Sequence, residues 1–246
     1  MQKYIVIADD LTGSNATCSL LKKIGLRAAS ILKLQNGMKY DTDVISYSTG
    51  SRGLDKEEAY KRVSEAIKIL KDKNVLVYNK RIDSTLRGNI GAEINAMLDN
   101  LENDRIAVVV PAYPDSKRIV VNKTMLVNGV LLENSDAGKD PKTPIKTSCV
   151  ETLIQKDCKY SSTYFDLADI EQPIEKLIKK IQKSTEKSRV LIFDAVNNED
   201  IIKISRAIIQ SNINIITVDP GPFTLYFSKE LQKKKHLEKK ILKVQI

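Results

Sequence analysis

Tyr4-Ile5-Val6-Ile7-Ala8-Asp9-Asp10-Leu11-Thr12-Gly13-Ser14 passes from an apolar run straight into two carboxylates and a glycine turn. Tyr4–Ala8 has the length of a strand and no polar alternation, as expected of a strand covered on both faces. Asp9 and Asp10 interrupt it too early for a signal peptide. A helix is expected near Ser14. Strand, polar turn and helix form the opening of an α/β unit, and such folds bind ligands at the carboxyl ends of their strands. Two readings of the turn stand side by side. Asp9 or Asp10 caps the helix, or Asp10 accepts a substrate hydroxyl proton or holds a cation. The free amides at the helix start suit an anion.

The same unit recurs along the chain. Short apolar runs predict strands at Tyr4–Ala8, Ala28–Leu32, Val44–Tyr47, Val75–Tyr78, Ile106–Val110, Ser162–Phe165, Val190–Phe193 and Ile213–Val218. Apolar stripes at helical spacing lie between them: Ala59, Val63, Ala66, Ile67 and Leu70; Ile90, Ile94, Met97 and Leu98; Ile174, Leu177, Ile178 and Ile181; Ile201, Ile204, Ala207 and Ile208. The expected fold is α/β, a mainly parallel sheet with helices on both faces. Pro111 to Pro144 breaks the rhythm as an irregular insertion. Its Asn128-Gly129 is a hairpin turn signal between Thr124–Val127 and Val130–Leu132. The expected organisation is one α/β domain over residues 1–228. Residues 229–246 read as a basic linker entering another strand, or as a solvated C-terminal helix.

The chain has 246 residues, ample for a core without staples. Its single histidine, His236, lies in the Lys-rich tail, which argues against His-based triads and metal sites. Cys18, Cys149 and Cys158 are scattered, odd in number and without metal spacing, as expected of reduced thiols in a cytoplasmic protein. No stretch approaches the roughly 18 apolar residues of a membrane span. Neither a G-x-x-x-x-G-K-[ST] loop nor a G-x-G-x-x-G turn after a strand is present.

Two further strand ends carry charge. Tyr78-Asn79-Lys80-Arg81-Ile82-Asp83-Ser84-Thr85-Leu86-Arg87-Gly88-Asn89 packs cations, a carboxylate and hydroxyls before a helix expected near Gly88. Arg87 suits a carboxylate gripped by two parallel hydrogen bonds, Lys80 suits phosphate charge, and Asp83 suits a hydroxyl. The alternative is a solvated loop with Asp83 or Ser84 as cap. Ser48-Thr49-Gly50-Ser51-Arg52 follows another strand, and Ser51 and Arg52 complete an anion pocket there. Pro111-Ala112-Tyr113-Pro114 reads as a rigid wall. Asp219-Pro220-Gly221-Pro222 reads as plain helix initiation.

At these residues the chain resembles the four-carbon acid sugar kinase family, formerly a domain of unknown function. The opening motif, a strand then Ala-Asp-Asp-Leu-Thr-Gly-Ala and Asn, matches residues 8–15 with Ser14 for Ala. Lys-Lys-x-Asp-Ser-Thr-Leu-Arg-Gly-Asn matches residues 80–89 with Arg81 for the second Lys. Thr-x-Ser-Arg falls on residues 49–52, Pro-Ala-aromatic-Pro on 111–114 and Asp-Pro-x-x-Pro on 140–144. Where family members usually show glycine after the proline motif, this chain has Lys117 and, further on, Lys123.

The resemblance implies an N-terminal sugar-acid-binding domain whose C-terminal partner supplies most ATP contacts. Lys239-Lys240-Ile241-Leu242 resembles the entry to that second domain. The implied reaction moves the terminal phosphoryl group of ATP, with Mg²⁺, onto the end hydroxyl of threonate, erythronate or 3-oxo-tetronate. Arg52 and Arg87 would hold the substrate carboxylate. Asp10 or Asp83 would orient or deprotonate the hydroxyl, and Lys80 would offset phosphate charge. Asp9, Thr12, Gly13, Ser51, Ser84, Thr85, Gly88 and Asn89 would line the sugar acid. No resident protein-bound metal is implied, and the chain alone is expected to be nearly inactive.

Other classes fit less well. A haloacid-dehalogenase-type site wants Asp-x-Asp, but Leu11 follows Asp10; a receiver wants an acid within Ser46–Arg52, which has none. The formal charge of +9 raises a nucleic-acid-binding module, against which stand few aromatics and a charge concentrated in the tail. A non-catalytic sugar-acid-binding protein also stays open. Neither nucleic acid nor membrane is an expected partner, and a homo-oligomer is compatible with the sequence.

Overall fold

The computed structural model describes residues 4–35, 37 and 40–244. Eight parallel strands form one sheet: β1 (Tyr4–Ala8), β2 (Ala28–Ile31), β3 (Val44–Ser48), β4 (Val77–Arg81), β5 (Ile106–Val109), and, later in the chain, β9 (Ser162–Phe165), β10 (Val190–Phe193) and β11 (Ile215–Asp219). Their spatial order is β2-β3-β1-β4-β11-β5-β10-β9. The intervening β6 (Arg118–Val121), β7 (Thr124–Val127) and β8 (Val130–Leu131) make a small antiparallel sheet.

Helices cover both faces. α1 (Leu11–Lys22) packs in a row with α8 (Pro222–Val244), α7 (Asn198–Ser211) and α6 (Ile174–Thr185), next to the short α5 (Leu167–Glu171). α2 (Lys56–Leu70), α3 (Ile90–Asn100) and α4 (Val150–Gln155) form the second row. The inner strands β1, β4, β11, β5 and β10 are buried along their whole length, and β1, β5 and β10 accordingly read as continuous apolar runs. Each fully buried Ile, Val or Leu contributes about 1.5–3 kcal/mol over an exposed one.

All eight predicted parallel strands are present. The main displacement is in β4, which starts at Val77 and takes in Asn79, Lys80 and Arg81. These polar residues looked like a loop, yet all three are buried. The two N–H groups of the Asn79 amide are shared among the Thr217 hydroxyl, the Asp219 carboxylate and the Thr224 hydroxyl, at 3.1, 2.9 and 2.8 Å, while its Oδ1 has no partner among the described residues.

The insertion is more ordered than expected. Asn128-Gly129 forms the expected turn, with φ of 52° and 83°. A second hairpin, absent from the sequence reading, joins β6 to β7 through Asn122-Lys123, whose φ angles are 47° and 67°. A two-residue turn with both φ positive matches the twist of the strands it joins. The amides of Asn122 and Lys123 donate to buried Asp194 at 2.7 and 3.2 Å, fastening this hairpin to the end of β10. Lys117 and Lys123, standing where the family resemblance places glycine, both lie in the left-handed region, with φ of 56° and 67°.

Of the tail read as residues 229–246, Gln245 and Ile246 lie outside the described residues. α8 runs unbroken from Pro222 to Val244, in line with the alternative of a C-terminal helix. The predicted strand entry at Lys239–Leu242 lies within it. Among the described residues no helix is long and apolar enough to cross a membrane.

Candidate functional site

The chain leaves β1 through α1 toward β2 and β3, and leaves β4 through α3 toward β5. Adjacent parallel strands whose following connections depart in opposite directions open a crevice at their carboxyl ends. Register pairs Ala8 of β1 with both Ser48 of β3 and Arg81 of β4, so the three charged turns begin at one level.

Arg52 ties these turns together. Its Nε and Nη2 donate to the two oxygens of Asp9 at 2.7 and 3.1 Å. Its Nη1 lies 2.8 Å from Asp10, and its Nη2 lies 3.6 Å from Asp83. Asp10 also caps α1, accepting from the Gly13 amide at 2.7 Å, so the capping role is met within the rim itself. A side chain at Gly13 would put a Cβ 2.8 Å from that Asp10 oxygen and 3.3 Å from Arg81, so this first turn needs glycine.

Arg87 grips Asp83 in the same forked manner, at 2.6 and 3.1 Å, and reaches Asp140 of the insertion at 2.9 Å. Thr85 adds a hydroxyl donor to Asp83 at 2.6 Å. Burial pushes the Asp83 carboxyl up, but the hydrogen bonds from Arg87 and Thr85 and the charge of Arg52 prevail and hold it at about 2. Hydrogen bonding to Asp83 in turn raises the Arg87 guanidinium. Both arginines expected to clamp a substrate carboxylate therefore have their forks filled by aspartates of the chain.

Lys80 requires a correction. It does not stand in a loop reaching for phosphate. It is wholly buried in β4, with its ammonium 2.9 Å from Glu93 and 2.8 Å from the Arg81 carbonyl. Ser51 is likewise wholly buried, and its hydroxyl donates to Glu93 rather than facing a ligand. Burial pushes the Glu93 carboxyl above its ordinary range, against the pull of Lys80. Asn89 is the N-cap residue of α3 but makes no side-chain cap bond, and its amide holds the carbonyls of Ser51 and Leu54 at 3.2 and 2.9 Å. Gly88, at φ 96°, lets Arg52 pass close by, since a Cβ there would lie 3.4 Å from the Arg52 backbone. Thr12 is exposed on the first turn of α1, and Ser84 is half-buried beside Asp83.

Arg81 carries the charge that sequence reasoning passed over. It is 7% exposed, and its Nη1 donates to the Ile82 carbonyl. Its Nε has no acceptor, and among the described residues it forms no ion pair. Burial lowers its guanidinium, partly offset by the more distant charges of Asp219, Asp9 and Asp83. Its neighbour Asp219 is occupied, accepting from the amides of Gly221 and Thr224 at 2.7 and 3.1 Å. Glu93 was also missed, while Asp140 and Asp219 were named only within the 140–144 motif and as helix initiation, without a role in the site. Glu93 left a signal of its own, because it shares a helix face with Ile90 and Met97, where a carboxylate must find a buried cation.

The chain is similar to known proteins over most of its length. The chain is 41% identical over 231 residues to a D-erythronate kinase of Heliobacterium modesticaldum, covering 91% of this chain and 52% of that protein. It is 33% identical over 208 residues to a D-threonate kinase of Salmonella typhimurium, covering 83% of this chain and 48% of that protein. A solved Bordetella bronchiseptica structure, described as a domain of unknown function with bound citrate in a domain-swapped dimer, superposes with a TM-score of 0.78 at 26% identity. That match covers 91% of this chain and 55% of the other. The chain thus spans about half the length of the curated relatives it matches. The model of the sugar-binding N-terminal domain matches residues 4–227, and the chain belongs to that family.

Proposed function

We propose that this chain is the sugar-acid-binding half of an ATP-dependent kinase that phosphorylates the terminal hydroxyl of a four-carbon sugar acid. Threonate, erythronate and 3-oxo-tetronate are the candidate substrates. The observation that carries the reading is Arg81, a buried guanidinium at the switch-point crevice with no carboxylate partner among the described residues. Of the four cations at this crevice, Arg52, Arg87 and Lys80 are each compensated by an acid, whereas Arg81 forms no ion pair among the described residues and keeps an Nε–H without an acceptor, which suits a substrate carboxylate. The swapped dimer of the Bordetella neighbour supports a homo-oligomer.

The two aspartates then separate. Asp83 is held by two arginines and a hydroxyl, and a carboxylate with a pKa of about 2 is a weak proton acceptor. Asp10 has fewer donors and is the more open, with its side chain 27% exposed against 8% for Asp83. Asp10 orients the attacking hydroxyl and receives its proton as the oxygen–phosphorus bond forms and the bond to ADP breaks. Phosphoryl transfer of this kind depends on positioning and charge neutralisation.

The chain's own residues do not fit a resident Mg²⁺. Among the described residues no three His, Cys, Asp or Glu side chains gather as a metal site, and Arg52 stands between Asp9, Asp10 and Asp83. Mg²⁺ accompanies the nucleotide, whose contacts lie mostly in the second half of the enzyme.

Titration calorimetry with D-erythronate, D-threonate and the uncharged polyol erythritol tests the reading. Wild type is expected to bind an acid and not the polyol, and Arg81→Met to lose at least about tenfold in affinity. Equal binding of erythritol, or wild-type affinity in Arg81→Met, would overturn it. A coupled ATP assay is expected to show no appreciable turnover by the 246-residue chain, and robust turnover would refute the half-enzyme assignment.

A further inference from the structure

Lys80 and Glu93 are a charged pair with no access to solvent, at 2.9 Å. Removing two charges from water is costly, and apolar residues of similar volume generally serve stability as well or better. Stability alone therefore does not explain the pair, and its connections suggest what else it does. The Lys80 ammonium reaches the Arg81 carbonyl at 2.8 Å and the Ile7 carbonyl at 3.4 Å, bridging β4 and β1 directly beneath the rim. The second Glu93 oxygen accepts from the Ser51 hydroxyl, which also shares a hydrogen bond of 2.7 Å with Thr49. The Thr49 hydroxyl also lies 3.0 Å from the Ala8 carbonyl, and its one proton serves either that carbonyl or Ser51. Ser51 immediately precedes Arg52, and the Ser51 amide donates to the Asp9 carbonyl at 3.0 Å.

We infer that Lys80 and Glu93 are positioning residues: a buried strut that sets the Ser51 turn and thereby aims Arg52 at Asp9 and Asp10. Neither touches a ligand. The strut lies under all three charged turns and joins β1, the end of β3, β4 and α3 through charge-assisted bonds. Arg52 depends on it because the guanidinium must meet Asp9 and Asp10 at once, within a span that a small rotation of the turn would break. A site residue one ångström out of place loses much of its effect.

The test separates this claim from the kinase reading, on which only its affinity measurement rests. The Arg52 Nε–H, hydrogen-bonded at 2.7 Å, is expected to give a distinct, exchange-protected nitrogen-15 NMR signal in the wild-type chain, assigned by its loss in Arg52→Lys. Lys80→Met/Glu93→Leu removes both charges together. It is expected to melt within about 3 °C of wild type, because neither charge is left unpaired. At that near-normal stability the Arg52 signal should lose its protection, and D-erythronate affinity should fall about tenfold. A double variant that keeps the protected signal would overturn the inference. If it does not fold, Ser51→Ala decides, since it keeps the ion pair and deletes only the link to the turn. Loss of the signal in Ser51→Ala supports the strut, and its persistence refutes it. Should wild type bind no four-carbon acid, the kinase reading falls while the Arg52 signal still judges the strut.

Discussion

Asp83 shows how the rim couples chemistry to stability. Its carboxyl sits at about 2 in the folded chain, against an ordinary value of 3.8. A depressed acid favours folding above its unfolded pKa, and that contribution disappears as pH falls through the folded value. The window is therefore from about pH 4 down to about pH 2, and the shift corresponds to about 2 kcal/mol. Asp83→Asn is expected to lower stability by about that amount at pH 7. In urea unfolding, the difference between wild type and variant should shrink toward zero as pH falls through the window. A difference independent of pH between 2 and 5 would mean that Arg87 and Arg52 do not stabilise the ionised form. The carboxylate itself was legible, since an acid followed by hydroxyls and Arg87 is a local pattern. Its saturation by Arg52 and Arg87 was not, because Arg52 arrives from another strand.

At the scale of elements, local signals worked wherever burial was uniform. Strands such as Ile106–Val109 and Val190–Phe193 are apolar throughout and mostly β-branched or aromatic, and the sequence places them within a residue or two. They failed where long-range partners permit polar residues inside. Asn79 and Lys80 are held inside β4 by the hydroxyls of Thr217 and Thr224 near the Asn79 amide nitrogen and by Glu93 beside Lys80, none of them near in sequence. The β6–β7 hairpin was hidden for another reason. Its turn, Asn122-Lys123, lacks the glycine that usually marks a pair of positive φ angles. The same logic applies to Lys117, which closes the loop after Pro114 at φ 56°. A non-glycine residue in that region carries roughly 1 kcal/mol or more of backbone strain. Lys117→Gly is expected to raise stability by up to about 1 kcal/mol in urea unfolding, because relief of strain outweighs the greater freedom of glycine in the unfolded chain. A loss of stability would show that the lysine side chain, and not its backbone, matters at this turn.

For the whole molecule, the decisive property is the order of strands. That three charged turns share a rim could be expected, since each follows a parallel strand and such strands point their carboxyl ends the same way. Which strands are neighbours could not be read, because the order depends on crossovers packing against both faces. Placing β1 between β3 and β4 brings Asp10, Arg52 and Asp83 into one chain of ion pairs. The β6–β7–β8 sheet instead fastens to β10, which lies three strands beyond β4 and so roughly 14 Å away across the sheet. A ligand in the switch-point crevice must therefore order the three turns jointly while leaving that sheet untouched. Hydrogen exchange read with and without saturating D-erythronate is expected to slow amides within 9–13, 50–53 and 82–88 together. Amides within 124–131 should exchange unchanged. Protection confined to 124–131, or to one turn alone, would move the ligand away from the β1–β4 crevice and remove Arg81 from its recognition. Joint protection would tie the anion to the crevice where the sheet brings a guanidinium unpaired among the described residues, a capped helix start and an open carboxylate side by side.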